Sequence, residues 1–215
     1  AYATLSRAGV SYVGLGTGHN RPVLTWSATA SQIIVSGANS SFENIVMNFA
    51  GIDAVVAAIS VTAADVSFIN CEIVTNVAAA GCVLGIVTAA TATRLRVEGC
   101  RFIGTAANTG TTTTAQVKHE VGIDYVIRNN YFTGKMTQSI LNATAVLGGL
   151  IDNNRFVVAT GTVAITMHAS STPFISNNRI NVPSGTAPVV AAAGFVAGNI
   201  YTAAAGVTAG AAATW

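Results

Sequence analysis

The sequence predicts an all-β chain wound as a parallel solenoid of about seven to eight coils, and three observations predict it. A short motif recurs at a nearly constant interval, the residues around it alternate as half-buried strands do, and charged residues are scarce. VIRNNYFTG, beginning at Val126, is followed 24 residues later by LIDNNRFVV and after another 24 by FISNNRINV. Written as apolar, any, small or Asn, turn residue, any, apolar, the motif occurs seven times. The copies are FENIVM from Phe42, FINCEI from Phe68, VEGCRF from Val97, IRNNYF from Ile127, IDNNRF from Ile151, ISNNRI from Ile175 and VAGNIY from Val196. Their third residues are Asn44, Asn70, Gly99, Asn129, Asn153, Asn177 and Gly198, spaced by 26, 29, 30, 24, 24 and 21. A period of about 25 residues lies in the solenoid range.

Taken along the chain, the first element is VGLGTGHNRPVLTW from Val13, where Gly14, Gly16 and Gly18 mark an early corner, Leu15 preceding Asn44 by 29 residues. Its Gly-x-Gly-x-Gly run is not a dinucleotide loop, because that loop opens a helix and HNRPVLTW reads as a strand with a proline. Upstream of the later motifs lie further short strands, in AAISVTAAD around Ile59 and Val61, VLGIVTAA around Ile86 and VAITMHAS around Ile165. Each repeat thus holds two or three strands and no helix. Leucine-rich repeats would show several fixed leucines and helical repeats a 3.6-residue period; the chain has neither. Residues 1–203 form the solenoid, and 204–215 an Ala-rich tail.

Stacked coils lie about 4.8 Å apart, so equivalent residues form columns. The first and sixth motif positions then line the interior. Asn44, Asn70, Asn129, Asn130, Asn153, Asn154, Asn177, Asn178 and Asn199 turn the corner, since Asn tolerates the left-handed conformation and its amide hydrogen-bonds from coil to coil. With the second position outward, Glu98, Arg128 and Asp152 fall in consecutive coils with alternating sign, and the fifth position sets Glu72 beside Arg101. Opposite charges across neighbouring strands contribute about 0.2–1 kcal/mol each. Arg155 above Arg179 runs against this pattern. Cys71 and Cys100 share the fourth position of adjacent coils and are expected as stacked reduced thiols, a disulfide being the alternative. Cys82 stands alone, and three widely spaced cysteines fit no zinc pattern.

Only 8% of residues are charged while 51% are hydrophobic, and mean hydropathy is +0.56. The surface is therefore built from Ala, Thr, Ser, Asn and Gly. A net charge of +2 gives no basic stripe for nucleic acid. The Ala-rich stretch 191–213 is interrupted by Gly, Asn, Thr and Tyr, and no membrane span is expected. AYATLSRAG has neither a basic region followed by an apolar one nor an initiating Met, so no signal peptide is visible and an earlier segment stays open.

Seven coils with NNxF-type corners, preceded by VGLGTGHNRPVLTW, resemble the single-stranded right-handed parallel β-helix family, in particular the short Ala- and Thr-rich β-helix proteins of tailed bacteriophage particles. The resemblance covers Val10 to Tyr201. It implies a non-enzymatic virion protein on the capsid surface, a decoration protein that binds the major capsid protein as a homo-oligomer, a trimer being favoured, with no cofactor. A tail fibre or tailspike shaft and a polysaccharide lyase or hydrolase are the alternatives, and a surface glycan is a further conceivable partner. Decoration is preferred over the tail shaft because the chain ends within a few residues of its last coil.

The acids give the enzyme alternative little support. They are Glu43, Asp53, Asp65, Glu72, Glu98, Glu120, Asp124 and Asp152, no two within three residues, whereas glycoside hydrolysis needs two carboxyls about 5–9.5 Å apart. Glu98 and Asp152 sit two coils apart with Arg128 between them, which reads as an ion-pair ladder. Lys118, His119, Glu120 and Asp124 form the densest polar cluster, expected as a solvated rim rather than a sugar or ion site. His168 is expected in a strand, packed or at the surface. NSS at Asn39 and NAT at Asn142 match glycosylation acceptors by chance in so Asn- and Thr-rich a chain. Repeats this short leave little chain to wall a cleft, so the shaft is expected to be nearly bare.

Overall fold

The computed structural model describes residues 2–26, 32–49, 57–75, 84–104, 114–120, 123–158, 162–182, 189–190 and 194–203. Asp53, Cys82 and the tail 204–215 lie outside the described residues. The chain is a parallel β-solenoid of three eight-stranded sheets, and each coil gives one strand to each sheet in turn. The first coil consists of Tyr2–Leu5, Ser11–Val13 and Val23–Thr25; the sixth of Gln138–Asn142, Leu150–Asp152 and Arg155–Val158. Every strand pairs in parallel with its counterpart in the next coil, so backbone hydrogen bonds run along the shaft.

Register follows the motif. Its first position forms one continuous column on the second sheet, from Tyr12 through Phe42, Phe68, Val97, Ile127 and Ile151 to Ile175 and Val196. The sixth position forms another on the third sheet, from Leu24 through Met47, Ile73, Phe102, Phe132 and Phe156 to Ile180 and Tyr201. The first sheet supplies Ile33, Ile59, Ile86, Val117, Ile140 and Ile165. Between the end coils these side chains are buried and pack as one core. Identical side chains in register stack ring on ring: Phe42 on Phe68 at 5.0 Å, Phe102 on Phe132 at 4.7 Å and Phe132 on Phe156 at 4.9 Å.

The first coil departs from the others. Gly14 occupies the corner position that Asn44 takes in the next coil, one residue before Leu15, and its N–H donates to Glu43 O. A Cβ there would stand 2.2 Å from Asn44 O, so only glycine fits. The chain then makes a 3-10 turn over Gly18–Asn20 before the strand resumes. This loop folds back over the second and third coils, Arg21 donating to Asn70 O at 3.3 Å and to Glu72 Oε2 at 3.2 Å. The shaft is therefore not bare at this end: a single loop walls a groove.

Candidate functional site

The paired asparagines of each corner divide two tasks that the sequence pattern merges. The third-position residues take the left-handed conformation, with φ of 57° at Asn44, 52° at Asn70, 59° at Asn129, 51° at Asn153, 55° at Asn177 and 64° at both Gly99 and Gly198. Most of these side chains face solvent; Asn153 Nδ2 donates to Asn129 Oδ1 at 2.7 Å. The fourth-position asparagines turn inward. Asn130, Asn154 and Asn178 are buried, and their amides form a relay along the shaft. Asn154 Oδ1 accepts from both Asn130 N and Asn130 Nδ2 at 3.0 Å, while Asn154 Nδ2 donates to Ile127 O at 2.9 Å and to Asn178 Oδ1 at 3.0 Å. Asn199 continues the relay upward and Cys100 N, donating to Asn130 Oδ1 at 2.8 Å, ends it below.

Below that point cysteines hold the same column. Cys71 and Cys100 are free and buried, and each thiol faces the carbonyl that an Asn amide engages higher up: Phe42 O for Cys71 and Phe68 O for Cys100, both at 3.4 Å. Burial pushes the Cys100 thiol well up, which keeps it protonated as a donor.

A second left-handed corner, between the first and second sheets, is built mostly from Gly, Asn and Asp but with no fixed motif. Gly9, Asn39, Asp65, Arg94, Asp124 and Gly148 all have positive φ there. An arginine at φ 56° is the unusual member, and Asp65 in the coil below clasps it with two hydrogen bonds of 2.6 and 2.5 Å. The Arg94 guanidinium holds the Asp65 carboxyl below the usual carboxylate range.

The outer charges pair differently from the even ladder expected. Glu98 binds Arg128 at 2.9 Å and Arg96 on its own strand. Burial works to raise the Glu98 carboxyl, but these two guanidinium groups outweigh it and hold it low. Asp152 instead accepts from Ser176 Oγ at 2.7 Å and Asn177 Nδ2 at 2.9 Å, because Arg128 reaches down to Glu98 rather than up. Glu72 takes Arg21 at 3.2 Å and Arg101 at 3.7 Å. Arg155 stands in register with Arg179, and neither meets a carboxylate within 4.0 Å among the described residues.

The expected polar rim around Lys118 separates into two environments. Lys118 and Glu120 pair outward, whereas His119 is fully buried inside the coil. Its Nδ1 lies 2.9 Å from Thr88 Oγ1 in the coil below, its ring 4.7 Å from that of Tyr125, and Asn142 of the coil above donates to Tyr125 Oη at 3.2 Å. Burial depresses the imidazole to about 4 and raises the Tyr125 phenol to about 12. The NAT acceptor Asn142 is thus inside the shaft, with 1% exposure, closed to glycosylation. His168 is exposed in a turn just beyond the strand Val163–Thr166, not in it.

Two grooves mark the third sheet. One, of about 770 Å³, lies under the Gly14–Pro22 loop and is lined by His19, Arg21, Asn44, Asn70, Glu72 and Arg101. Its one carboxylate, Glu72, is held by two arginines. The other, of about 460 Å³, lies between Arg155, Arg179 and Ile200. Among the described residues no His, Cys, Asp and Glu side chains group as a metal site, and no helix is long and apolar enough to cross a membrane. Comparison of the chain with protein-family models, with curated proteins and with solved structures finds no match.

Proposed function

We propose that the chain is a non-enzymatic structural protein of a virus particle, a decoration protein that binds the outer capsid shell of a tailed bacteriophage as a trimer. The observation that carries this reading is the shaft itself: eight coils whose interior columns are filled between the two ends, and whose outward acids are mostly engaged by neighbouring arginines, lysine or amides rather than gathered in a cleft. Such a surface offers contact area and stiffness rather than chemistry. The groove beneath the Gly14–Pro22 loop favours the polysaccharide-enzyme alternative by its walls but not by its acids, since among the described residues lining it Glu72 has no second carboxylate beside it for acid and base roles.

Quantitative mass spectrometry of purified particles tests the proposal through the copy number of this chain relative to the major capsid protein. Hundreds of copies are expected. A handful would assign the shaft to the tail, and absence from particles would overturn the reading.

A further inference from the structure

Two adjoining faces of the upper shaft carry outward columns of opposite character, one apolar and one cationic. On the second sheet the outward column Val126, Leu150, Phe174, Phe195 is apolar, and Phe174 is 56% exposed. On the third sheet the column Arg101, Tyr131, Arg155, Arg179 is cationic. The Tyr131 ring holds the Arg101 and Arg155 guanidinium groups at 5.9 and 5.5 Å, and the groove of about 460 Å³ opens between Arg155, Arg179 and Ile200. Ile200 is itself 58% exposed. Stacked like charges on neighbouring strands destabilise a sheet unless a counter-charge joins them.

We propose that these two faces are the halves of one heterologous contact between copies of this chain, the second sheet of one copy packing on the third sheet of the next. The inference rests on the oligomeric reading above and names its surface. In a ring whose axis runs along the shaft, equal coils stand at equal heights, so the second motif position of one copy meets the fifth of its neighbour. From the fourth coil upward the facing residues are Glu98 with Arg101, Arg128 with Tyr131, Asp152 with Arg155, Ser176 with Arg179 and Ala197 with Ile200. Two are opposite charges, one is a cation on an aromatic ring, and none is a like-charge pair.

Size matches as well as charge. Phe174 belongs to the seventh coil, and the groove spans the sixth to the eighth, so the protruding ring of one copy stands level with the cleft of the next. Arg155 and Arg179 flank that cleft, where a guanidinium over a desolvated ring contributes more than at an open surface. Arginine and aromatic anchors in pockets are what dominates protein interfaces, whereas a nucleic-acid surface would not place valine, isoleucine and phenylalanine among its cations. The contact ends where it must: over the second and third coils the Gly14–Pro22 loop covers the corner between these faces.

Sedimentation velocity on the purified full chain at micromolar concentration tests this. Wild type is expected at about three times the 21.7 kDa chain mass, and Phe174→Asp, on an exposed side chain, is expected to shift assembly at least tenfold in concentration with an unchanged circular dichroism spectrum. Asp152→Arg and Arg155→Asp alone are each expected to dissociate the ring, and together to restore it. Within one chain these two side chains make no ion pair, so restoration reports a contact between copies. A monomeric wild type, an assembled Phe174→Asp, or a double variant no better than the singles would overturn the proposal. So would a monomer that binds poly-L-glutamate through Arg155 and Arg179, which would assign the face to an acidic partner. The virion reading fails separately: a trimer absent from particles keeps the contact and loses the reading, and a monomer on particles does the reverse.

Discussion

The lower and upper halves of the shaft share one backbone path and fill it with different chemistry. In the second and third coils the interior at two comparable columns is Val35 and Val61, Ile45 and Cys71. From the fourth coil upward the same columns hold Thr88, His119 and Asn142, and Cys100 gives way to Asn130, Asn154 and Asn178. The lower half is held by burial, which is non-directional; the upper half adds hydrogen bonds that fail if one partner is lost. Because each coil touches chiefly its neighbours, a solenoid changes its interior chemistry step by step without changing its shape.

The largest effect is expected where the two halves do not differ. Phe132→Ala removes the middle ring of the Phe102, Phe132, Phe156 stack and should cost about 3–5 kcal/mol in urea unfolding; Phe68→Ala below should cost about as much. Equal losses would place aromatic stacking outside the contrast between halves.

Acid comes next and divides them. Burial lowers the folded His119 from its ordinary 6.5 to about 4, so the unfolded chain takes up the proton first. The stability this neutral imidazole represents is complete above pH 6.5 and declines as pH falls toward 4, by on the order of 3 kcal/mol. Unfolding followed between pH 7 and 4 should show that slope, and His119→Leu should flatten it. An unchanged slope in the variant would remove the histidine from the account.

Asn154→Ala breaks the amide relay at its centre, leaving Asn130 N and Ile127 O without their partners. The expected loss is about 2–3 kcal/mol. Asn154→Cys, which copies the lower half into the upper, should lose roughly half as much, since a thiol keeps a weak donor. If cysteine proved no better than alanine, the two fillings of the column would not be equivalent solutions. Smallest is Asn153→Ala, at about 1 kcal/mol for forcing a Cβ-bearing residue without a local hydrogen bond into φ 51°; Asn153→Gly should restore it.

Sequence made the solenoid, its register and the left-handed asparagine corner legible because repetition converts weak local preferences into columns. It could not divide Asn153 from Asn154, since both suit a turn and only the stacked neighbours decide which one faces inward. The second corner was harder to see: Gly9, Asn39, Asp65, Asp124 and Gly148 are types that tolerate positive φ, but they vary from coil to coil with no fixed motif, and Arg94 breaks the series, held there by a partner 29 residues away. His119 reads with its charged neighbours Lys118 and Glu120 as a solvated rim, although the alternation of Val117 inward, Lys118 outward and His119 inward places it in the core. The Arg155 over Arg179 misfit, by contrast, was visible as a broken rule, and broken rules are where a single chain points beyond itself.

The constant 24-residue step from Asn129 to Asn153 to Asn177 makes the chain a ruler. Excising residues 130–153 would join Asn129 to Asn154 in phase and shorten the shaft by one graduation of about 4.8 Å. Length here is thus written in whole units, open to change by duplication or loss of a unit, with each asparagine pair marking where a cut leaves the scale intact.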